Sequence, residues 1–264
     1  MPNFLHNFTP QPVALALGAV TVRWYGLFIV AGVILALMAA KQLAKNKQIS
    51  FDDIIDLTFW LVLFGVIGAR LYEVLILEPR YFFSNPAEVI KIWHGGLAIH
   101  GAIIAGLITL IVWCRQKKQD FWLVADLTAT VLPLAQTLGR FGNYFNQEVF
   151  GWPTSLPWGI PIELANRPPE FVTEQYFHPA FLYESVLNLS LFIILFVLFK
   201  KQWLKSGQYL ALYLLGYGLI RFLMEFVRLD QTAVIGGFRW PQIFSLLLIG
   251  VGLMIFYQKR KTPA

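Results

Sequence analysis

The sequence predicts an all-α polytopic membrane protein, a bundle of about seven transmembrane helices with its N-terminus outside, its C-terminus cytoplasmic and a small external lobe. Three observations predict it. The 264-residue chain is 57% hydrophobic and only 14% charged, where soluble domains run near 45–50% and 25%. Its apolar residues gather near 22–40, 54–77, 96–113, 121–138, 179–199, 208–227 and 240–257, each about the length that crosses a hydrocarbon core. Twelve of the 21 Lys and Arg residues sit in alternate connections (Lys41, Lys45, Lys47; Arg115, Lys117, Lys118; Lys200, Lys201, Lys205; Lys259, Arg260, Lys261), which sets the orientation by the positive-inside rule.

The whole chain, 1–264, reads as one membrane domain. Residues 1–21 form an external segment; the first basic residue is Arg23, so the segment lacks the positive start of a secretory signal and the first span stays attached. That span opens at "RWYG" with Tyr25. Span two carries Arg70 and Glu73 near its outer end, an i, i+3 pair that serves either as an ion pair or as part of a site. The 78–95 loop follows outside. In span three, "GGLAIHGAIIAG" places His100 about a turn and a half below the outer end. Cys114, the single cysteine, excludes an internal disulfide framework and reads as a small buried hydrophobe.

Span four carries Asp126 toward the cytoplasmic side, read as a structural hydrogen-bonder, and exits at Arg140 within "LGRFGNYFNQEVFG". The connection 139–178 holds Pro153, Pro157, Pro161, Pro168 and Pro169, too many for one helix, and is the external lobe. "HPAFLYES" opens span five, with His178 ahead of Pro179 and Glu184 about two turns in. Span six carries Tyr217, Arg221, Glu225 and Arg228 at i, i+4, i+8 and i+11, one helical face rising outward. The 228–239 loop and the last span complete the chain. Seven of the nine tryptophans fall near span ends or in short connections, as an aromatic belt does.

Several functions are excluded or disfavoured. The basic residues make no single patch, which argues against nucleic acid. No HExxH, Walker-type loop, GxSxG elbow or CxxC occurs, and His94 and His100 at i, i+6 point to opposite faces, so neither a metal nor another cofactor is expected. What remains is a set of ionisable and polar groups at the outer-leaflet level of five spans and the long loop. Each such group in a bilayer costs at least about 2.5–3.5 kcal/mol at mid-span and is a functional candidate. Arginine forks suit phosphate, histidine suits proton transfer near neutral pH, and a phosphate at headgroup depth points to a phospholipid. The same residues leave open structural ion pairs, a lipid or anion transporter, and an outer-leaflet phospholipid hydrolase.

"GRFGNYFNQEVFG" resembles the signature of the bacterial prolipoprotein diacylglyceryl transferases, G-R-x-G-N-aromatic-x-N-x-E-x-x-G. The resemblance continues in order through "RWYG", "IHGA", "HPAFLYE" and "YGLIRFLMEFVR" and covers essentially the whole chain. Ala102, where a second glycine is expected, and Tyr144, where phenylalanine is frequent, depart from the pattern. The resemblance implies transfer of the diacylglyceryl group of phosphatidylglycerol to the lipobox cysteine thiol of a prolipoprotein signal peptide, forming a thioether and releasing glycerol phosphate, the first step of lipoprotein maturation. It implies a multi-pass protein of the bacterial cytoplasmic membrane with its active site facing the outer leaflet, and membrane lipids as surroundings. By resemblance Arg140 and Arg221 match the phosphate-holding arginines and His100 the histidine proposed as general base. Asn143, Glu148 and Gly151 match signature positions, and Tyr25, Glu184, Tyr217 and Glu225 supporting ones. On physical grounds Glu225 orients Arg221 from the next turn. Glu148, Asn143 and Asn146 fix Arg140 or the headgroup hydroxyls, with Gly139, Gly142 and Gly151 expected in tight turns.

Overall fold

A computed structural model describes residues 4–18, 20–45, 47, 49–230 and 232–261, so the first three residues of the expected external segment 1–21, and its residue 19, lie outside the described residues. Long apolar helices dominate. Among the described residues six are long and apolar enough to cross a membrane: α2 (Trp24–Ala44), α3 (Phe51–Tyr72, extended by a π-helical turn to Leu77), α5 (Ile99–Lys117), α6 (Phe121–Phe145), α7 (Ala180–Lys201) and α9 (Trp240–Lys261). The expected sixth span is α8 (Gln208–Met224), apolar but only 17 residues long. The rest is short: α1 (Phe4–Asn7), α4 (Pro79–Ser84) and the two-stranded pairs β1–β2 (Val13–Leu17, Val20–Arg23), β3–β4 (Ile160–Pro161, Tyr176–Phe177) and β5–β6 (Val234–Ile235, Phe238–Arg239).

The chain divides into two compact units, residues 40–125 and the remainder. In the 40–125 unit, α3 starts where Ser50 Oγ accepts the Asp53 N–H at 3.0 Å, with Asp52 and Asp53 in the first turn complementing the helix dipole. α3 and α5 touch at Gly68 and Gly101, where a Cβ on Gly101 would lie 2.1 Å from the Gly68 carbonyl oxygen. Only glycine permits that approach. Lower down, Asp56 accepts the indole N–H groups of Trp60 at 3.0 Å and Trp113 at 2.8 Å, fastening the same two helices.

In the larger unit Asp126 is the structural hydrogen-bonder expected. Buried on α6, its carboxylate accepts Gly207 N–H at 2.6 Å and Leu210 N–H at 2.8 Å, and so caps α8 from a neighbouring helix. An apolar core forms from Ala129, Leu191, Leu195, Tyr213, Ile220 and Met224. A second core, of Tyr144, Phe150, Ile160, Ile162, Phe177 and Phe181, lies beneath the 146–178 connection.

Most span boundaries shift by one to four residues, and two differences bear on the candidate site. α6 runs to Phe145, so 139–145 is helix and the irregular connection begins at Asn146. The reason is aromatic packing: Phe141 meets Phe28 and Phe181, each at 5.6 Å between ring centroids, Tyr144 stacks on Phe181 at 4.3 Å, and Phe145 packs on Trp24 at 4.9 Å. These contacts repay two further turns of helix. α8 stops at Met224, short of the expected 227, and Arg228 lies off the helix because the chain there bridges to Gly151 and donates Leu229 N–H to the Phe150 carbonyl.

Candidate functional site

The larger unit brings together ten of the eleven residues singled out from the sequence. On α6, Arg140 and Asn143 share a face, and Arg140 Nη1 donates to Asn143 Oδ1 at 3.3 Å. Asn143 Nδ2 donates in turn to Glu148 Oε1 at 2.8 Å, and Asn146 Nδ2 reaches the same oxygen at 3.3 Å. Glu148 can fold back because its own N–H donates to the Asn143 carbonyl, and the chain reverses through Gln147 (φ 53°) and Val149 (φ 58°). A β-branched residue in the left-handed region carries about 1–2 kcal/mol of strain. The surrounding contacts hold it: Gln147 is buried, donating to the Pro10 carbonyl and accepting the Glu163 N–H.

The expected glycine turns are corrected by this geometry. Gly139 and Gly142 are helical and the left-handed positions fall on Gln147 and Val149. Gly142 serves close approach instead, since a Cβ there would sit 2.2 Å from Tyr25 Cδ2. Gly151 does likewise: its Cβ would lie 2.7 Å from His178 Cβ and 2.8 Å from the Val227 carbonyl oxygen.

The charges form two strings of ion pairs. Glu184, 1% exposed on α7, takes Arg140 Nη2 at 2.6 Å and Arg228 Nη1 at 3.6 Å. Arg228 makes a two-point contact with Asp230 at 2.8 and 3.2 Å. Glu225, directly after α8, takes Arg221 Nη2 at 2.5 Å and Arg239 Nε at 3.1 Å. Arg239 joins the two strings, donating to the backbone carbonyls of Glu225 and Arg228 at 2.8 Å each and to that of Asp230. Four arginines therefore face three carboxylates in direct contact, with Glu148 one asparagine further off. Burial raises the Asp230 carboxyl, but the Arg228 hydrogen bond and the charges of Arg228, Arg221 and Arg239 outweigh it and hold the group below the usual carboxylate range. Burial also works against the Arg228 charge, and Asp230, Glu184 and Glu225 more than offset it.

In this charge cluster one donor is left over among the described residues. Arg221 Nη1 is buried and has no hydrogen-bond acceptor among them, while Nη2 is spent on Glu225. An unpaired buried donor on a charged group is costly, and an anion supplies what it lacks. Tyr217, one turn before Arg221, stacks on Tyr213 at 5.7 Å. His178 Nδ1 lies 3.1 Å from the Tyr183 hydroxyl, which also accepts the Trp158 N–H at 2.9 Å.

His100 belongs to the 40–125 unit, where its ring stacks on Tyr72 with centroids 5.8 Å apart, beside the Gly68–Gly101 contact. Arg70 is in this unit too, and the reading that Glu73 pairs with it is replaced. Arg70 donates instead to the carbonyls of Val89 (2.9 Å), Gly95 (2.6 Å), Gly96 (2.8 Å), Glu88 (2.6 Å) and Lys91 (3.4 Å). Sequence reasoning missed Arg239 and Asp230. Their only signal is a charge of each sign in a short loop, where charges are ordinary.

A family model described as prolipoprotein diacylglyceryl transferase matches residues 12–258. The chain belongs to the prolipoprotein diacylglyceryl transferase family. Proteins named phosphatidylglycerol–prolipoprotein diacylglyceryl transferase resemble it over nearly their whole length. That of a Nostoc species is 41% identical, covering 97% of this chain and 93% of its own. The Acaryochloris marina protein is 41% identical over 100% and 97% respectively, and the Thermosynechococcus vestitus protein 39% over 97% of each. In this member of the transferase family the tyrosine at 144 is accommodated: its ring stacks on Phe181 and its hydroxyl donates to the Phe8 carbonyl at 3.4 Å. With six helices among the described residues long and apolar enough to cross a bilayer, it is a multi-pass membrane protein.

Proposed function

We propose that this chain transfers the diacylglyceryl group of phosphatidylglycerol to the lipobox cysteine of a prolipoprotein. The thiolate sulfur attacks the glycerol methylene carbon, the carbon–oxygen bond to phosphate breaks, and glycerol phosphate leaves with the electron pair. Arg140 and Arg221 hold the phosphate and stabilise the charge it gains. Glu184 and Glu225 fix those arginines from behind, Asn143, Asn146 and Glu148 address the glycerol hydroxyls, and Tyr25, Gly151 and Tyr217 shape the walls. His100 takes the thiol proton, because a thiol with a pKa near 8.5 attacks only as thiolate. α8 serves as a seventh span, the N-terminus lies outside, and the site faces the outer leaflet of the cytoplasmic membrane, as the alternate placement of basic residues supports.

The observation that carries the reading is Nη1 of Arg221, a buried cationic donor with no acceptor among the described residues, in a chain whose relatives are named for phosphatidylglycerol. The test is incubation of purified protein with phosphatidylglycerol and a lipobox peptide. Thioether-linked peptide together with glycerol phosphate is the expected outcome. Diacylglycerol without modified peptide would make the protein a hydrolase, and movement of intact lipid without either product would make it a transporter; both contradict the proposal. His100→Gln is expected to bind lipid and transfer slowly, so full turnover by that variant would remove His100 from the role of base.

A further inference from the structure

We propose that the groove along α3 and α5 holds one acyl chain of a phospholipid from the leaflet at the Lys117 end of α5, a lipid additional to any substrate. The groove has a volume of about 490 Å³ and opens on exposed Phe64, Ile67, Ile108 and Val112. Its walls are dry: Thr109, one of its few polar lining residues, spends its hydroxyl on the Ala105 carbonyl of its own helix at 2.8 Å. Toward one end α3 and α5 converge at the Gly68–Gly101 contact. The other is polar, where Asp56 pins the indoles of Trp60 and Trp113, and Lys117 lies 3.4 Å from Asp53 and 3.3 Å from Asp56.

Dimensions decide the occupant. From Trp60 to Leu71 the lining advances eleven residues along α3, about 16 Å at helical rise and so about half of a hydrocarbon core of roughly 30 Å. A length of one leaflet with one polar end is the outline of a phospholipid tail. Spread over that length, 490 Å³ gives a cross-section of about 30 Å². A methylene chain, about 4 Å across at van der Waals contact, fits. A helix about 10–12 Å across does not, which argues against a second copy of this chain or a signal-peptide helix. Fixed indoles flank the entrance, where tryptophan sits well between tails and headgroups.

The experiment uses the full protein in nanodiscs containing a phosphatidylethanolamine with a diazirine in its acyl chain, a headgroup different from the proposed donor's, so the outcome is independent of the transfer reaction. After irradiation, labelled residues are mapped by mass spectrometry in wild type, Val112→Trp and Ile108→Trp, the last serving if Val112→Trp fails to fold. The expected result is label concentrated on Phe64, Ile67 and the α5 wall and lost in the variant whose indole fills the groove. Label spread evenly over all lipid-facing helices, or unchanged by the filling substitution, would overturn the proposal. So would a wild-type dimer that the substitution dissociates, because the groove would then belong to a second copy.

Discussion

Arg70 and Arg221 are both arginines in long apolar helices, and they are solved in opposite ways. Arg70 spends its guanidinium on five backbone carbonyls of the 86–96 segment and is 7% exposed. Its charge is dispersed over dipoles and its donors are consumed; it is a clamp that pins a loop. Arg221 and its neighbours are paired with carboxylates, and Arg221 keeps one buried donor that no acceptor among the described residues takes up. The lesson is that an intramembrane arginine declares its role by its acceptors. One saturated by backbone supports the fold, whereas one held by a carboxylate with a donor to spare is ready for an anion.

Substitutions can break this contrast. The largest effect is expected from Arg140→Ala and Arg221→Ala, which should lower transfer about 10²–10³-fold, the usual loss for one aimed donor at a developing charge; product formation per folded enzyme is the readout. Glu184→Ala should act on stability as well, because it takes from Arg140 its carboxylate partner and leaves Arg228 with Asp230 alone. Breaking a buried pair costs about 3–5 kcal/mol, and a thermal midpoint equal to wild type would show that Glu184 does not hold the cluster. Arg70→Lys, by contrast, should leave turnover per folded molecule intact while exposing the 78–95 loop to protease. A lysine has three donors where the fork has five, so unchanged protection would contradict the clamp.

A pH series sharpens the same comparison. Asp230 is held below the usual carboxylate range in the folded chain, so its contribution is fully present above an unfolded pKa of about 3.9. It is lost as pH falls through the lower, folded value. Asp230→Asn should therefore flatten the acid limb of a stability–pH curve by lowering stability near neutrality, and change little at acid pH, where the contribution is already lost. The smallest effect belongs to Glu88→Gln. Its half-buried side chain pairs at the surface with Lys91 and His94, each 2.7 Å away, while its backbone carbonyl serves Arg70 and is untouched by the change. An unaltered thermal midpoint is expected, as for most surface ion pairs.

Much of this was legible in the chain. Apolar lengths located α2, α3, α5, α7 and α9, because nothing but a helix satisfies the backbone across such runs. The i, i+4 spacing of Arg221 and Glu225 predicted their contact, observed at 2.5 Å. Arg140 and Glu184 were placed only at a common outer-leaflet level, and their 2.6 Å pair was not foreseen, because Arg140 was assigned to Asn143, Asn146 and Glu148. What sequence concealed has physical reasons. Backbone carbonyls carry no side-chain signature, so Arg70 pointed to Glu73 instead of to its five acceptors. Gly139 and Gly142 suggested a break, but interlocking rings extend α6 through them and the reversal falls on Gln147 and Val149. Arg239 looked like a loop charge until the turn after α8 brought Glu225 within 3.1 Å.

The central claim is that the Arg140–Arg221 cluster holds the phosphate of the lipid donor, while Arg70 does not. The most direct measurement is equilibrium binding of phosphatidylglycerol to purified wild type, Arg140→Ala, Arg221→Ala and Arg70→Lys, each checked for fold. The account predicts that Arg70→Lys binds as wild type does and that both alanine variants lose binding about tenfold or more, the loss of at least one charge-assisted hydrogen bond. Equal binding by Arg140→Ala, Arg221→Ala and wild type would contradict it.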